Sequence, residues 1–256
     1  MTESILLPTR RDEAWRYSDT DALAGVDLGT FDDWRDIEVA AGESFRDCIV
    51  IADTDGPSDA TELRRLRVKV GEGARCELFT VVSSGRLGRV EIVALLAEGA
   101  HFELGGVTIG GRDTTREIVS RVAHEAPNAT SNQVVRAVHW GRGTGNFLGR
   151  IDVVSQAQKT DAAQSFKGLL LEKGASVNAV PQLEIFADDV KCAHGATVGQ
   201  LDEQARFYMA ARGLPPEVAR RLLVQAFIGD AFVALDDEEQ RERLMSVVLD
   251  KLEGRG

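Results

Sequence analysis

From about Asp36 to Asp189 the chain is built from short runs in which β-branched and other apolar residues alternate with polar ones. Leu66-Arg67-Val68-Lys69-Val70, Val90-Glu91-Ile92-Val93-Ala94-Leu95, Phe102-Glu103-Leu104 and Ile151-Asp152-Val153-Val154 are examples. A period of two places one face of a strand on a core and the other toward water. Gly71-Glu72-Gly73, Gly105-Gly106 and Gly110-Gly111 read as turns between such strands. No long amphipathic helix interrupts the stretch, which argues against a βαβ sheet, whose crossovers need helices.

A weak repeat underlies the pattern. Glu72-Gly73-Ala74, Glu98-Gly99-Ala100 and Lys173-Gly174-Ala175 resemble one another, and Gly149 and the segment from His124 to Asn128 fall on the same grid of about 25 residues. Two or three short strands per unit at that period predict a parallel β-helix, in which each coil closes its core only on its neighbours. A β-sandwich with coincidental glycine spacing is the alternative. Before this region, residues 1–35 are polar, with Trp15, Tyr17, Phe31 and Trp34 as isolated apolar anchors.

The period changes after Gly195. Val198 to Arg212 reads as a helix ending at Gly213, with Leu201, Ala205, Tyr208 and Met209 near one face. Pro215-Pro216-Glu217 opens a second, carrying Val218, Leu222, Leu223, Ala226 and Phe227 at helical spacing. A third starts at Asp236, with Glu239 three residues on as in a capping box, and carries Leu244, Val247, Val248 and Leu252. The expected division is therefore 1–35 extended or short helical, 36–195 β-helix, and 196–256 helical. The three helices are expected either to cap the last coil or to serve as a docking module.

Composition narrows the function. Among 256 residues the net charge is −11, which disfavours nucleic acid and anionic membrane surfaces as partners. No apolar run approaches the roughly 18 residues of a membrane span, and the N-terminus lacks the pattern of a signal peptide. Cys48, Cys76 and Cys192 are three dispersed thiols, an arrangement suited to a reducing cytoplasm. Nucleotide-binding, zinc-protease and serine-hydrolase motifs are missing, and Gly141-Arg142-Gly143-Thr144-Gly145 does not fit a dinucleotide loop. Asp188-Asp189 would point to opposite faces of a strand and so not form an acid pair. His101, His124 and His139 are scattered; His139-Trp140 reads as a packing or turn histidine. Cys192-Ala193-His194 has metal-like spacing, because i and i+2 on a strand share a face. Thiolate and imidazole suit iron, zinc or copper, but two ligands leave a site that another chain must complete.

The segment 181–201, Pro-Gln-Leu-Glu-Ile-Phe-Ala-Asp-Asp-Val-Lys-Cys-Ala-His-Gly-Ala-Thr-Val-Gly-Gln-Leu, closely resembles the C-terminal signature of the SufB/SufD family of iron–sulfur cluster assembly proteins. Arg10 to Ser18, Ala126 to Ser131, the segment 155–178 with Gln156, Gln158, Gln164 and Asn178, and Arg206 to Gly213 are similar to other family motifs. Trp15-Arg16-Tyr17 and Cys192-Ala193-His194 are closer to the SufD branch than to the SufB branch. The resemblance implies a right-handed parallel β-helix flanked by helices. It implies a non-catalytic scaffold subunit with no stably bound cofactor, pairing with SufB near the signature and binding the ATPase SufC through its C-terminal helices. Tyr208, Leu222 and Phe227 are candidate contacts for SufC. His194 matches the family's cluster-building histidine and Cys192 its interface cysteine, so a nascent iron–sulfur cluster is expected where SufB meets this chain, with His194 as a transient metal ligand. Typical members carry a long helical N-terminal domain, and the short segment before the first strands here resembles a short form. A homodimer of the isolated chain is a further possibility. The rival reading is a β-helical carbohydrate-active or acyl-transfer enzyme. Two tyrosines and three tryptophans are few for a sugar-stacking groove.

Overall fold

A computed structural model describes residues 7–52 and 60–254. Twelve strands form two parallel sheets of six. The odd sheet contains β1 (Trp34–Val39), β3 (Thr61–Val70), β5 (Leu87–Leu96), β7 (Thr115–His124), β9 (Thr144–Val153) and β11 (Ser176–Ile185). The even sheet contains β2 (Ser44–Ile51), β4 (Arg75–Val82), β6 (His101–Gly110), β8 (Thr130–His139), β10 (Asp161–Leu170) and β12 (Lys191–Gln200). Each odd strand and the even strand after it make one coil, giving a β-solenoid of six coils.

The repeat differs from the expected grid. Arg65, Glu91, Val119, Leu148 and Val180 occupy equivalent positions in successive coils, 26, 28, 29 and 32 residues apart. There are two strands per coil, and the period is 31 residues from Trp34 to Arg65, drops to 26 and then lengthens again. Gly73 and Gly99 are true equivalents. They belong to a column of corner residues with positive φ that continues through Asn128 (φ 60°) and Lys159 (φ 63°). Each donates its N–H to the next coil's corner, Gly73 to Glu98 O and Asn128 to Gln158 O. Gly174 lies at the opposite corner and Gly149 inside β9, so their 25-residue spacing is accidental. Asp188 and Asp189 also sit in a corner rather than on a strand, and Asp189 pairs with Lys159.

Gly105 and Gly106 are not a turn either. They lie in the middle of β6, where a Cβ on Gly105 would come within 2.0 Å of the Ala231 carbonyl oxygen and 2.6 Å of the Phe79 ring. The missing side chain lets the C-terminal helices reach the sheet. These are α1 (Glu203–Ala211), α2 (Pro216–Gly229) and α3 (Glu238–Glu253). The first begins later than expected because Val198 belongs to β12. The third is capped by Asp237, not Asp236. The Asp237 carboxylate accepts from the N–H of Gln240 at 2.9 Å and from that residue's side chain at 2.9 Å.

The helices cover the flank of the solenoid rather than its last coil. Val224, Ile228, Phe232, Leu235, Leu244, Val248 and Leu252 pack on Phe79, Val81, Val107, Ile109, Val138 and Leu169 of the even sheet. Arg136 and Lys167 of that sheet reach Asp230 at 3.2 and 3.6 Å. The middle of the even sheet is therefore buried on both faces, and β4 and β6 are buried almost throughout.

The N-terminal segment straps the other sheet through three single 3₁₀ turns, at Glu13–Trp15, Thr20–Leu23 and Leu28–Phe31. Beneath it, Arg89, Glu117, Asn146 and Asn178 stack in register on neighbouring strands. The buried Glu117 carboxylate accepts from Arg89 Nη1 at 2.8 Å, Ser18 Oγ at 2.7 Å and Asn146 Nδ2 at 2.6 Å. Arg89 also donates to Ala14 O at 2.9 Å and lies 3.9 Å from the Trp15 ring centroid. Trp15 and Ser18, read from sequence as part of an N-terminal motif, are thus the plug of a buried ion pair. No helix among the described residues is long and apolar enough to cross a membrane.

Three measurements check this description. Gly105→Ala pushes a methyl group into the Ala231 carbonyl. It should lower stability in urea by about 2 kcal/mol or more and speed amide exchange in 203–253 before exchange in the strands. Glu117→Ala leaves Arg89 buried without its carboxylate and should cost about 3–5 kcal/mol, with limited proteolysis cutting first within residues 8–31. Burial depresses the His124 imidazole to about 4, and burial with the neighbouring Arg116 charge depresses His139 to about 3. Both fold as neutral rings and take up a proton near pH 6.5 when unfolded. Their contribution is complete above pH 6.5 and is lost as pH falls toward 4 and then 3, on the order of a few kcal/mol in total. Urea midpoints measured from pH 7 to pH 4 should fall accordingly, and His124→Gln should roughly halve that slope between pH 6.5 and pH 4.

Candidate functional site

The two ends of the solenoid are unlike. In the first coil the inward aliphatic residues Ile37, Val39, Ile49 and Ile51 are buried, Phe45 is half-buried, and the inward Arg35 and Asp47 form an ion pair. In the last coil the inward side of β11, with Val177, Ala179, Pro181 and Leu183, is half-exposed, and nearly all of β12 is exposed. Ile185, Phe186 and Val198 add exposed apolar surface around this end, Phe186 at 65%. β11 and β12 are also the terminal strands of their sheets, so one edge of each lacks a strand partner. An open apolar coil with two free parallel edges is the kind of surface another polypeptide extends.

His194 and Cys192 both lie in β12. Cys192 is paired in register with Ala162 of β10, and His194 with Gln164. Ala162 and Gln164 are buried inward residues, so the strand alternation turns Cys192 and His194 toward the same interior. Cys192 is half-buried against Ile151, Val153, Ala157 and Ala162, and this burial raises its thiol above the usual range. His194 is exposed because no coil follows to cover it. Thiol and imidazole thus stand two residues apart at the rim of an unfinished core. Among the described residues no three His, Cys, Asp or Glu side chains come together in an arrangement that could hold a metal ion.

The interior beneath this rim changes character along the axis. The column that ends at His194 starts at Asp47 in the first coil and runs through Leu78, Leu104, Gln133 and Gln164. The facing column of the odd sheet runs through Leu66, Ile92, Ser120, Gly149 and Pro181. In coil four Ser120 Oγ donates to Gln133 Oε1 at 2.6 Å. In coil five the Gln164 amide lies against Gly149, where a Cβ would come within 2.1 Å of Gln164 Nε2. An aliphatic core gives way to amides and then to an imidazole at the open end. Sequence reading quoted Gln164 only as part of a glutamine-rich segment. Its signal was a polar residue at an inward strand position, visible only once the register was known.

The other histidines have structural partners. His101 Nδ1 is 2.7 Å from Thr130 Oγ1, His124 Nε2 is 2.9 Å from Ser131 Oγ, and His139 Nε2 is 3.2 Å from Thr108 Oγ1. Cys76 is fully buried and its thiol is pushed up to about 12 by desolvation, while Cys48 Sγ donates to Gln240 Oε1 at 3.0 Å. Of the candidate helix contacts, Tyr208 and Leu222 are exposed, 58% and 40%, whereas Phe227 is partly buried in the seam between helices and sheet. Phe207, beside Tyr208 on α1, is more exposed still at 77%.

Two parallel sheets of stacked coils with a C-terminal helical flank place the chain in the class of parallel β-solenoid proteins. The family model described as "SUF system FeS cluster assembly, SufBD core domain" matches residues 39–227. The chain belongs to this SufB/SufD family. Its likeness runs to the SufD type: it is 37% identical over 131 residues to the iron–sulfur cluster assembly protein SufD of Escherichia coli, an alignment covering 51% of this chain and 31% of that protein. It is 35% identical over 169 residues to the chloroplastic protein ABCI7 of Arabidopsis thaliana, 65% of this chain and 36% of that one. A SufBD family protein of Mycobacterium bovis is 29% identical over 210 residues, 78% and 52% of the two chains. The chain therefore spans about a third to a half of the length of the curated relatives it matches. The signature segment 181–201 is the second half of β11, the corner after it, and the whole of β12.

Proposed function

We propose that this chain is a non-catalytic scaffold subunit of the SUF system, and that its open sixth coil is the surface on which a SufB-type partner completes a site for a nascent iron–sulfur cluster. One observation carries the reading. Cys192 and His194 face inward on a terminal strand whose interior is left open, whereas the other end of the solenoid buries Ile37, Val39, Ile49 and Ile51 and carries the Arg35–Asp47 ion pair at two further inward positions. Imidazole and thiolate are good ligands for iron, but two of them hold no cluster alone. A partner that extended β11 and β12 would cover the half-exposed apolar residues and bring its own ligands to the same rim. The cluster is the cargo of that site, not a resident group.

The exposed α1 face, with Phe207 and Tyr208, together with Leu222 on α2, is the surface proposed for SufC. The helices pack on β4, β6 and β8, so an ATPase bound there would pull on the middle of the even sheet, away from the open coil. A second copy of this chain could occupy the same open edges, which makes a homodimer the competing occupant.

His194 is exposed, so His194→Ala should leave stability within about 0.5 kcal/mol of the parent. Co-purification with SufB and SufC should be unchanged. Anaerobic reconstitution of the complex, followed by absorbance of the cluster, should show assembly lost. A variant that assembles clusters at the parental rate would falsify the assignment.

A further inference from the structure

The column of inward residues below His194 contains an unexplained polar group. Gln164 is 3% exposed, and neither atom of its side-chain amide has a hydrogen-bond partner among the described residues. The same position holds Leu78 in coil two and Leu104 in coil three. A leucine fits the solenoid there, and burying an unsatisfied amide is unfavourable. Gln133, one coil below, already has Ser120 as the partner of its carbonyl oxygen. In coil five the residue facing Gln164 is Gly149, which supplies space and no side-chain partner. The next inward group along the column, one strand spacing of about 4.8 Å away, is His194.

We propose that Gln164 is the positioning residue for His194: its carboxamide oxygen accepts a hydrogen bond from one ring nitrogen and leaves the other nitrogen bare for iron. The inference rests on the functional reading of His194 given above and deepens it. An imidazole that ligates a metal does so through a nitrogen without a proton. The tautomer is set by what the other nitrogen donates to, commonly a carbonyl or carboxylate oxygen. His194 stands at the rim of an open coil, and on β12 only its inward side has a buried neighbour able to do this. A ring turned inward gains an acceptor that is already held rigidly, since the Gln164 amide is wedged between β10 and the backbone of Gly149. The carboxamide is neutral, so it fixes the ring without adding charge to a site that thiolates will fill.

The test uses the full chain labelled with ¹⁵N-histidine. Long-range ¹H–¹⁵N spectra report the protonation of each ring nitrogen, with His194→Ala identifying the His194 signals. Above neutral pH the parent should show one protonated and one bare nitrogen. Gln164→Leu should move both signals toward the averaged tautomers of a solvent-exposed imidazole, with the fold intact because leucine occupies this position in two other coils. In the reconstituted complex Gln164→Leu should slow cluster assembly roughly tenfold. Identical ring signals in the parent and Gln164→Leu would overturn the proposal, whatever the assembly rate. If the signals shift as expected while His194→Ala assembles clusters normally, the hydrogen bond stands and the functional reading of the site falls.

Discussion

Parallel stacking in strict register is the constraint on which the molecule depends. Each coil places a residue directly above its equivalent in the coil before it, so the chain is organised into columns that run along the solenoid axis. A coil cannot close its own core and relies on the next one to cover it. What is chemically distinctive here follows from that rule. Arg89, Glu117, Asn146 and Asn178 form one outer column beneath the N-terminal strap, and Leu78, Leu104, Gln133, Gln164 and His194 form one inner column. The same rule leaves the sixth coil unfinished.

The three exposed flanks of the columns are treated differently. The strap closes the start of the odd sheet by burying an ion pair with a full set of hydrogen bonds around Glu117. Such a pair adds specificity as much as stability, because removing either partner strands the other. The helices close the outer face of the even sheet with an apolar seam that Gly105 allows to approach closely. The open end is closed by neither. The half-exposed apolar residues, free strand edges and the Cys192–His194 pair therefore occur together. A surface that is incomplete both as a core and as a ligand set serves assembly with a second chain.

Burial separates the potentially reactive groups from the structural ones. Cys76, His124 and His139 lie inside finished coils, where desolvation holds them neutral. Cys192 is half-buried and His194 exposed, so the terminal coil alone brings a thiol and an imidazole to one accessible rim. The polar inner column below them replaces the aliphatic core over the last coils, which gives the rim a hydrogen-bonding floor.

Much of the architecture was legible in the residues. Leu66–Val70, Val90–Leu95 and Ile151–Val154 belong to the odd sheet, whose outer face meets solvent over half its width, so their alternation survives in the sequence. Strands β4 and β6 are buried on both faces and, past Phe102-Glu103-Leu104, lose that signature, which is why Gly105-Gly106 reads as a turn instead of a docking point. The 25-residue grid failed because the coil period varies between 26 and 32 residues and because glycines recur at two different corners. The sequence by itself determined the strand chemistry, the helical tail and the family signature around Cys192 and His194, since these rest on local pattern and residue identity. Only the tertiary structure decided that the helices flank the sheet, that Trp15 and Ser18 cover a buried ion pair, and that Gln164 lies under His194. Each of those is a contact between residues about 30 to more than 100 positions apart, set by register and by which coil comes last, and neither is encoded in any local stretch of chain.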